Sequence, residues 1–251
     1  MAWTDRDGKP VEAPEPPAAG SYYTEIGDFQ GAAYERNAFA LGTEQEVAFL
    51  WEALGLRPGE VLVDVGCGTG RHSRAFAERG VRAIGVDISQ GLLAAAAAHG
   101  TPAAFVRADA RAMPLPDGCA DVVICLCQGG FGITPGGDAD VLAEIARILR
   151  PGGRLALTAF SLAFATRWLA PEDAIDLERG LIHTPADVRG PDAEARRYDL
   201  WTSCYTVAEL HHLLADAGFV DVRLSGVEPG AYRLDPPRLA DPELLALARR
   251  A

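Results

Sequence analysis

The residues most open to a chemical reading are Val61-Leu-Val-Asp64-Val-Gly66-Cys67-Gly68-Thr69-Gly70. An apolar run ending in closely spaced glycines is a buried strand that delivers its backbone to a ligand, because no Cβ intervenes. The spacing is GxGxG, whereas a dinucleotide-binding turn is GxGxxG. Asp64 stands just ahead of the turn, where a carboxylate repels a pyrophosphate but suits a ligand carrying an ammonium and a sulfonium. Seventeen residues beyond Gly70 the next apolar run closes on Gly85-Val86-Asp87-Ile88. An acid at that strand end accepts hydrogen bonds from both hydroxyls of a ribose. A third run leads into Arg107-Ala108-Asp109-Ala110, where Asp109 can meet an adenine amino group.

These residues need a scaffold that brings strand ends together, and the flanking pattern supplies one. Val61–Val65, Val81–Val86, Ala103–Val106, Ala120–Leu126 and Arg154–Phe160 read as short buried strands. Helices alternate with them: Arg71–Arg79, a helix from Ser89 to about His99, and one opened by Asp138 with Val141, Leu142, Ile145, Ile148 and Leu149 at helical spacing. Thr43 with Glu46, and Thr206 with Glu209, read as capping boxes of two further helices. The expected fold is α/β: a Rossmann-like, seven-stranded, mostly parallel sheet with helices on both faces. Strands near Val220–Ser225 and Leu244–Ala248 would close it as an antiparallel edge.

Around that core (residues 58–160, completed by 204–251) lie three less regular parts. Residues 1–20, with Pro14, Pro16 and Pro17, read as a flexible leader. Residues 21–57 hold Tyr22, Tyr23, Phe29, Tyr34 and Phe39, too many aromatics for a tail, so this stretch should form a lid. Residues 161–203 break the alternation. Ala174–His183 and Ala195–Thr202 read as strands around a Gly190-Pro191-Asp192 turn, a small β-rich insertion that in placement resembles β-elements that cover substrate or pair subunits, as into a homodimer.

Composition narrows the partners. The net charge is −12 with no cluster of Lys or Arg, which argues against nucleic acid and against an anionic membrane surface. No apolar run approaches a bilayer's thickness and no secretory signal is evident, so a soluble cytoplasmic protein is expected. Five cysteines form no disulfide ladder, and Cys125 and Cys127, two apart on one strand face, lack the companions of a zinc site.

In order along the chain, Asp64–Gly70, Asp87, Asp109 with Leu115-Pro116, Asp121–Cys127 and Leu149-Arg-Pro-Gly-Gly153 resemble the successive motifs of class I S-adenosylmethionine-dependent methyltransferases of the small-molecule type. The resemblance covers about residues 61–160. It implies S-adenosyl-L-methionine as cofactor, with Gly66, Cys67, Gly68 and Gly70 along its methionine part. Asp87 and Ile88 would hold ribose and adenine, Asp109 and Ala110 the adenine, and Leu126 and Cys127 the side of strand four. Tyr23, Tyr34 and Arg36 are similar to the lid of such enzymes, where an Arg pairs with the cofactor carboxylate; Arg71 and His72 complete the expected set.

Methyl transfer from a sulfonium is an in-line displacement, so positioning and desolvation matter more than a fixed catalytic dyad. If a base serves, Gln128, Tyr34 and His72 are the candidates by location. Cys125-Leu-Cys-Gln128-Gly-Gly-Phe131 departs from the Asn/Asp-Pro-Pro-Tyr/Phe run of enzymes that methylate amino groups of DNA or protein glutamine, and no Pro precedes Cys127 as a cytosine-C5 enzyme requires. A small-molecule acceptor methylated on nitrogen or oxygen is therefore expected. A non-catalytic S-adenosylmethionine-binding protein and an NAD-dependent oxidoreductase are the alternatives.

Overall fold

A computed structural model describes residues 3–17, 22–37, 42–127 and 129–251. Its centre is a sheet in which β1 (Val61–Val65), β2 (Arg82–Asp87), β3 (Ala104–Arg107), β4 (Ala120–Cys125) and β5 (Leu149–Ser161) run parallel in the order β3-β2-β1-β4-β5. Then β10 (Glu243–Arg250) pairs antiparallel with both β5 and β9 (Phe219–Val227). The expected seven strands are present, but the antiparallel strand is interior and β9 forms the edge. The reason is visible in the side chains: Leu244, Leu245 and Ala246 are all buried, a run suited to cover on both faces.

Alternation along the strands feeds two cores. Val122, Ile124 and Ala156 meet Val47, Leu50, Leu54 and Phe76 from α2 (Thr43–Ala53) and α3 (Arg71–Glu78). Val123, Cys125, Leu155 and Leu157 face α5 (Asp138–Ile148) and α7 (Val207–Asp216), whose Val141, Leu142, Ile145, Leu210 and Leu214 are fully buried. Ser89 caps α4 (Gln90–Ala98) by accepting from Leu92 N at 3.1 Å, and the Thr206–Glu209 capping box of α7 is formed. Asp138 does not cap α5. The cap is Gly137, and the Asp138 carboxylate turns back to accept from Gly132 N at 2.8 Å.

The insertion is a three-stranded antiparallel sheet, β6 (Ala174–Asp176), β7 (Leu181–Arg189) and β8 (Ala195–Tyr205), preceded by α6 (Leu162–Arg167). The first expected strand breaks in two because Asp176 accepts from Glu178 N and Arg179 N, folding the chain into a turn. At its end β8 joins the main sheet, Phe160 opposite Cys204 and Ser161 opposite Tyr205. No helix among the described residues is long and apolar enough to cross a membrane.

The leader is not loose over residues 3–17. Thr4 exchanges backbone hydrogen bonds with Ile175 at 2.9 and 2.8 Å. Trp3, 4% exposed, sits among Ala174, Leu181 and Trp201, and the Arg179 guanidinium lies 5.1 Å over its ring. Its composition suggested mobility, but one buried indole outweighs several prolines. We expect Trp3→Ala to free this segment, read as faster tryptic cleavage after Arg6, with the main sheet still melting cooperatively.

Candidate functional site

The strand ends converge on a cleft because each parallel strand stops at the same level. After β1, Gly66 N and Cys67 N donate to Val86 O at 2.7 and 3.0 Å, bending the turn toward β2. Gly66 has φ +68°, and a Cβ there would lie 1.7 Å from the Gly129 oxygen. Only glycine lets the turns after β1 and β4 touch. Asp64, 2% exposed, accepts from Ser73 N at 3.1 Å and Ser73 Oγ at 2.7 Å, fastening β1 to α3. Asp87, 9% exposed, accepts from Gly68 N at 2.8 Å and Ser89 N at 2.9 Å. Burial raises both carboxyls above the usual range, so each would gain from a cation or a hydroxyl donor beside it.

Two cavities open here. The larger, of about 610 Å³, has Gly66, Gly68, Asp87 and Ile88 as floor, Asp109 and Ala110 at its far end, and Tyr23 and Tyr34 above. The smaller, of about 340 Å³, is bounded by Asp64, Cys67, Arg71, His72, Leu126 and Cys127. They share Tyr34, Gly66 and Gly68, and a Cβ on Gly68 would lie 3.6 Å from the Tyr34 ring. The cofactor-lining residues expected from sequence border one cavity or the other, except Gly70 and Arg36. Gly70, at φ +70°, is the N-cap of α3. Arg36 donates to Gly190 O and Pro191 O at 3.2 and 2.9 Å, on the turn of the insertion. Tyr34 and Arg36 share a 3₁₀ helix (Gly31–Arg36), in which residues two apart face different directions.

The roof comes from α1 (Tyr22–Gln30) and that 3₁₀ helix. α1 is tied down where Asp28 accepts from Ser89 Oγ at 2.7 Å and Gly91 N at 2.8 Å. Tyr23 and Tyr34 bond to each other through their hydroxyls, and burial pushes both phenols up, so they stay protonated. At the far end Arg111 grips both oxygens of Asp109, and that hydrogen bonding lowers its carboxyl. The sequence reading missed Ile133 and Thr134, which line the larger cavity beside Gly129 and Gly130. The glycine-rich stretch 129–137 was the available signal. Gln128 lies outside the described residues. His211 and His212 are exposed on α7, and His183 meets Asp199 at 2.7 Å in the insertion.

Glu46 is the surprise. The expected capping box of α2 is absent: its N-cap is Gly42, without a side-chain bond. Glu46, fully buried, instead accepts from Arg71 at 2.8 Å, meets His72 Nε2 at 2.7 Å and accepts from Gly230 N at 2.8 Å. Arg71 also reaches Thr43 Oγ1 at 2.8 Å and Cys127 Sγ at 2.9 Å. Burial pushes the Glu46 carboxyl up, but the His72 hydrogen bond and charge, with Arg71, outweigh it and leave the pKa at about 2. Cys127 is not on the strand with Cys125. It follows β4 in a turn at φ +50°, its N–H donating to Thr158 Oγ1 at 2.8 Å, and burial pushes its thiol up to about 12.

The methyltransferase domain family matches residues 62–153. The chain is 39% identical over 111 residues to the demethylmenaquinone methyltransferase of Beutenbergia cavernae, a match spanning 44% of this chain and less than half, 45%, of that relative. It is 30% identical over 210 residues to the demethylmenaquinone methyltransferase of Tropheryma whipplei, covering 80% of this chain and 85% of the other. Among solved structures it resembles the CcbJ methyltransferase of Streptomyces caelestis (TM-score 0.67, 20% identity, 90% of this chain and 98% of that one). It also resembles the 1,6-didemethyltoxoflavin-N1-methyltransferase of Burkholderia thailandensis, solved with 1,6-didemethyltoxoflavin and S-adenosylhomocysteine (TM-score 0.57, 22% identity, 95% and 93%).

Removing Glu46 would leave Arg71 and His72 buried without their shared partner. Glu46→Ala is expected to lower the unfolding free energy by about 3–5 kcal/mol in urea titrations. The sign of the pH effect follows from the depressed pKa. The contribution of Glu46 is present above its ordinary 4.5 and is lost as pH falls through about 2. Glu46→Gln should flatten the stability–pH curve in that window.

Proposed function

The chain belongs to the class I S-adenosylmethionine-dependent methyltransferases, with S-adenosylmethionine as cofactor, and from that premise we propose that it methylates a nitrogen or oxygen of a small molecule in the cytoplasm. The observation that carries the binding mode is Asp87, a nearly buried carboxylate that accepts from Gly68 N and Ser89 N and lines the larger cavity.

The residues fit the cofactor in chemistry and charge. Two adjoining cavities sharing Tyr34, Gly66 and Gly68 would take its nucleoside and its amino-acid tail. Asp87 would take the ribose hydroxyls, while Asp109 and Ala110 face the base. Asp64 adds negative charge beside the tail cavity, and Arg71, itself paired with Glu46, is the guanidinium that lines that cavity, where Arg36 does not reach. Bound there, the cofactor supplies an electrophilic methyl group on a sulfonium. Tyr34, at the junction of the cavities, and Tyr23 behind it exclude water from that point.

Several groups are poor bases. The Cys127 thiol is held at about 12, the Tyr23 and Tyr34 phenols stay protonated, and His72 commits Nε2 to Glu46. An acceptor nitrogen that is unprotonated near neutral pH, as in an aromatic or weakly basic amine, therefore suits the site better than an alcohol, whose attacking oxygen must lose a proton. The Burkholderia neighbour is named for transfer to N1 of a small molecule, and the named relatives act on demethylmenaquinone.

Calorimetry with S-adenosylhomocysteine tests the cleft directly. Asp87→Ala should weaken binding roughly 10- to 100-fold, the loss expected for hydrogen bonds to a charged group. Because burial raises the Asp87 carboxyl, affinity should fall as the pH drops, starting above its ordinary 3.8. S-adenosylmethionine, but not NADH, should raise the melting temperature. Unchanged affinity in Asp87→Ala would sink the binding mode. Transfer of labelled methyl across a panel of small amines and alcohols tests the acceptor class, and no product from any of them would refute it.

A further inference from the structure

Two walls of the cofactor cleft are fastened to one strand that does not line it. The roof carries Tyr23, and its neighbour Tyr22 donates its hydroxyl to Trp201 O on β8 at 2.6 Å, ring against ring at 5.2 Å. The side wall is the stretch 129–137, five of whose nine residues are glycine. Such a chain has high conformational freedom, so its order must come from outside contacts. β8 provides them. Ser203 N donates to Gly132 O at 2.6 Å, and the Tyr205 ring stacks on the fully buried Phe131 at 5.3 Å. The Tyr205 hydroxyl donates to Asp138 Oδ2 while Asp138 Oδ1 accepts from Gly132 N. Asp138 is 6% exposed, so without that hydroxyl its carboxylate would lose a partner where water is scarce.

We propose that Tyr22 and Tyr205 are positioning residues for the cofactor, each hydroxyl fixing one wall of the cleft to β8. On this reading, which rests on the cleft being the nucleoside site, the insertion is a working part of cofactor binding as well as a neighbour of the acceptor. Neither tyrosine touches the cofactor. Each acts through the wall it holds, Tyr22 through Tyr23 and Tyr205 through Gly130, Ile133 and Thr134.

Tyr22→Phe and Tyr205→Phe remove one oxygen each and keep the rings. They should be compared, as full-length protein, with Arg197→Gln, which removes the exposed Arg197–Asp187 pair between β8 and β7 and lies in neither wall. Calorimetry with S-adenosylhomocysteine should show affinity roughly tenfold lower in each tyrosine variant and roughly a hundredfold lower in the double variant, since the walls are separate. Arg197→Gln should bind like the unaltered protein whatever its melting temperature does. In transfer assays the tyrosine variants should show a raised KM for the cofactor and a largely retained kcat, a split that general destabilisation does not produce. Unaltered affinity in either folded tyrosine variant, or an equal loss in Arg197→Gln, overturns the proposal. Failure of the unaltered protein to bind would instead overturn the reading of the cleft, and is distinguishable for that reason.

Discussion

A buried carboxylate must be held by donors, and in this protein the donors of Asp87 are backbone. Gly68 N–H belongs to the turn after β1 and Ser89 N–H to the start of α4. One side chain therefore fixes the glycine turn, the end of β2 and the entry to a helix at once, and Ser89 and Gly91 in turn hold Asp28 of the roof. Exposing this acid to water would cost nothing electrostatically but would give up that geometry. Burying it requires N–H partners and leaves an unmet preference for positive charge. Floor, roof and ligand preference thus follow from one electrostatic requirement.

Glu46 does for the far side of the site what Asp87 does for the near side. It gathers α2, the first turn of α3 and the segment after β9 around a fully buried charge. Gln45 reinforces the joint by donating to Tyr232 O and accepting from Tyr232 N, each at 2.9 Å. The Tyr232 hydroxyl then meets Cys127 Sγ at 4.0 Å. The two acids differ in what they lack. Glu46 is fully partnered and held low, whereas Asp87 is raised, and only the second arrangement leaves something for a ligand to supply.

How far the chain could be read without coordinates depended on the range of the forces involved. The glycine turn, Asp87, Ser89 and the Thr206–Glu209 box are set by neighbours in sequence, and all appear where spacing placed them. Thr43 and Glu46 have the same box spacing, yet Arg71 and His72 capture the glutamate from 25 and 26 residues away. A local rule yields to a buried charge pair. Arg36 was misplaced because the helix carrying it is 3₁₀, and Asp138 because Tyr205, 67 residues on, is its partner. The leader was misread for a similar reason: composition reports average solvation, not the one indole that finds a pocket between β6 and β8. Ile133 and Thr134 carry no chemical signature, and only the fold brings them to the cleft.

The interior position of β10 has a consequence for assembly. Glu243 lies opposite Phe160, so the middle of the sheet is completed by segments more than eighty residues apart along the chain. Until residues 243–250 have left the ribosome, β5 presents the row Leu155–Ala159 on an open edge able to recruit a strand from another molecule. Long-range closure of this kind slows maturation, and it places the period of greatest aggregation hazard after the glycine turn and Asp87 have already been made.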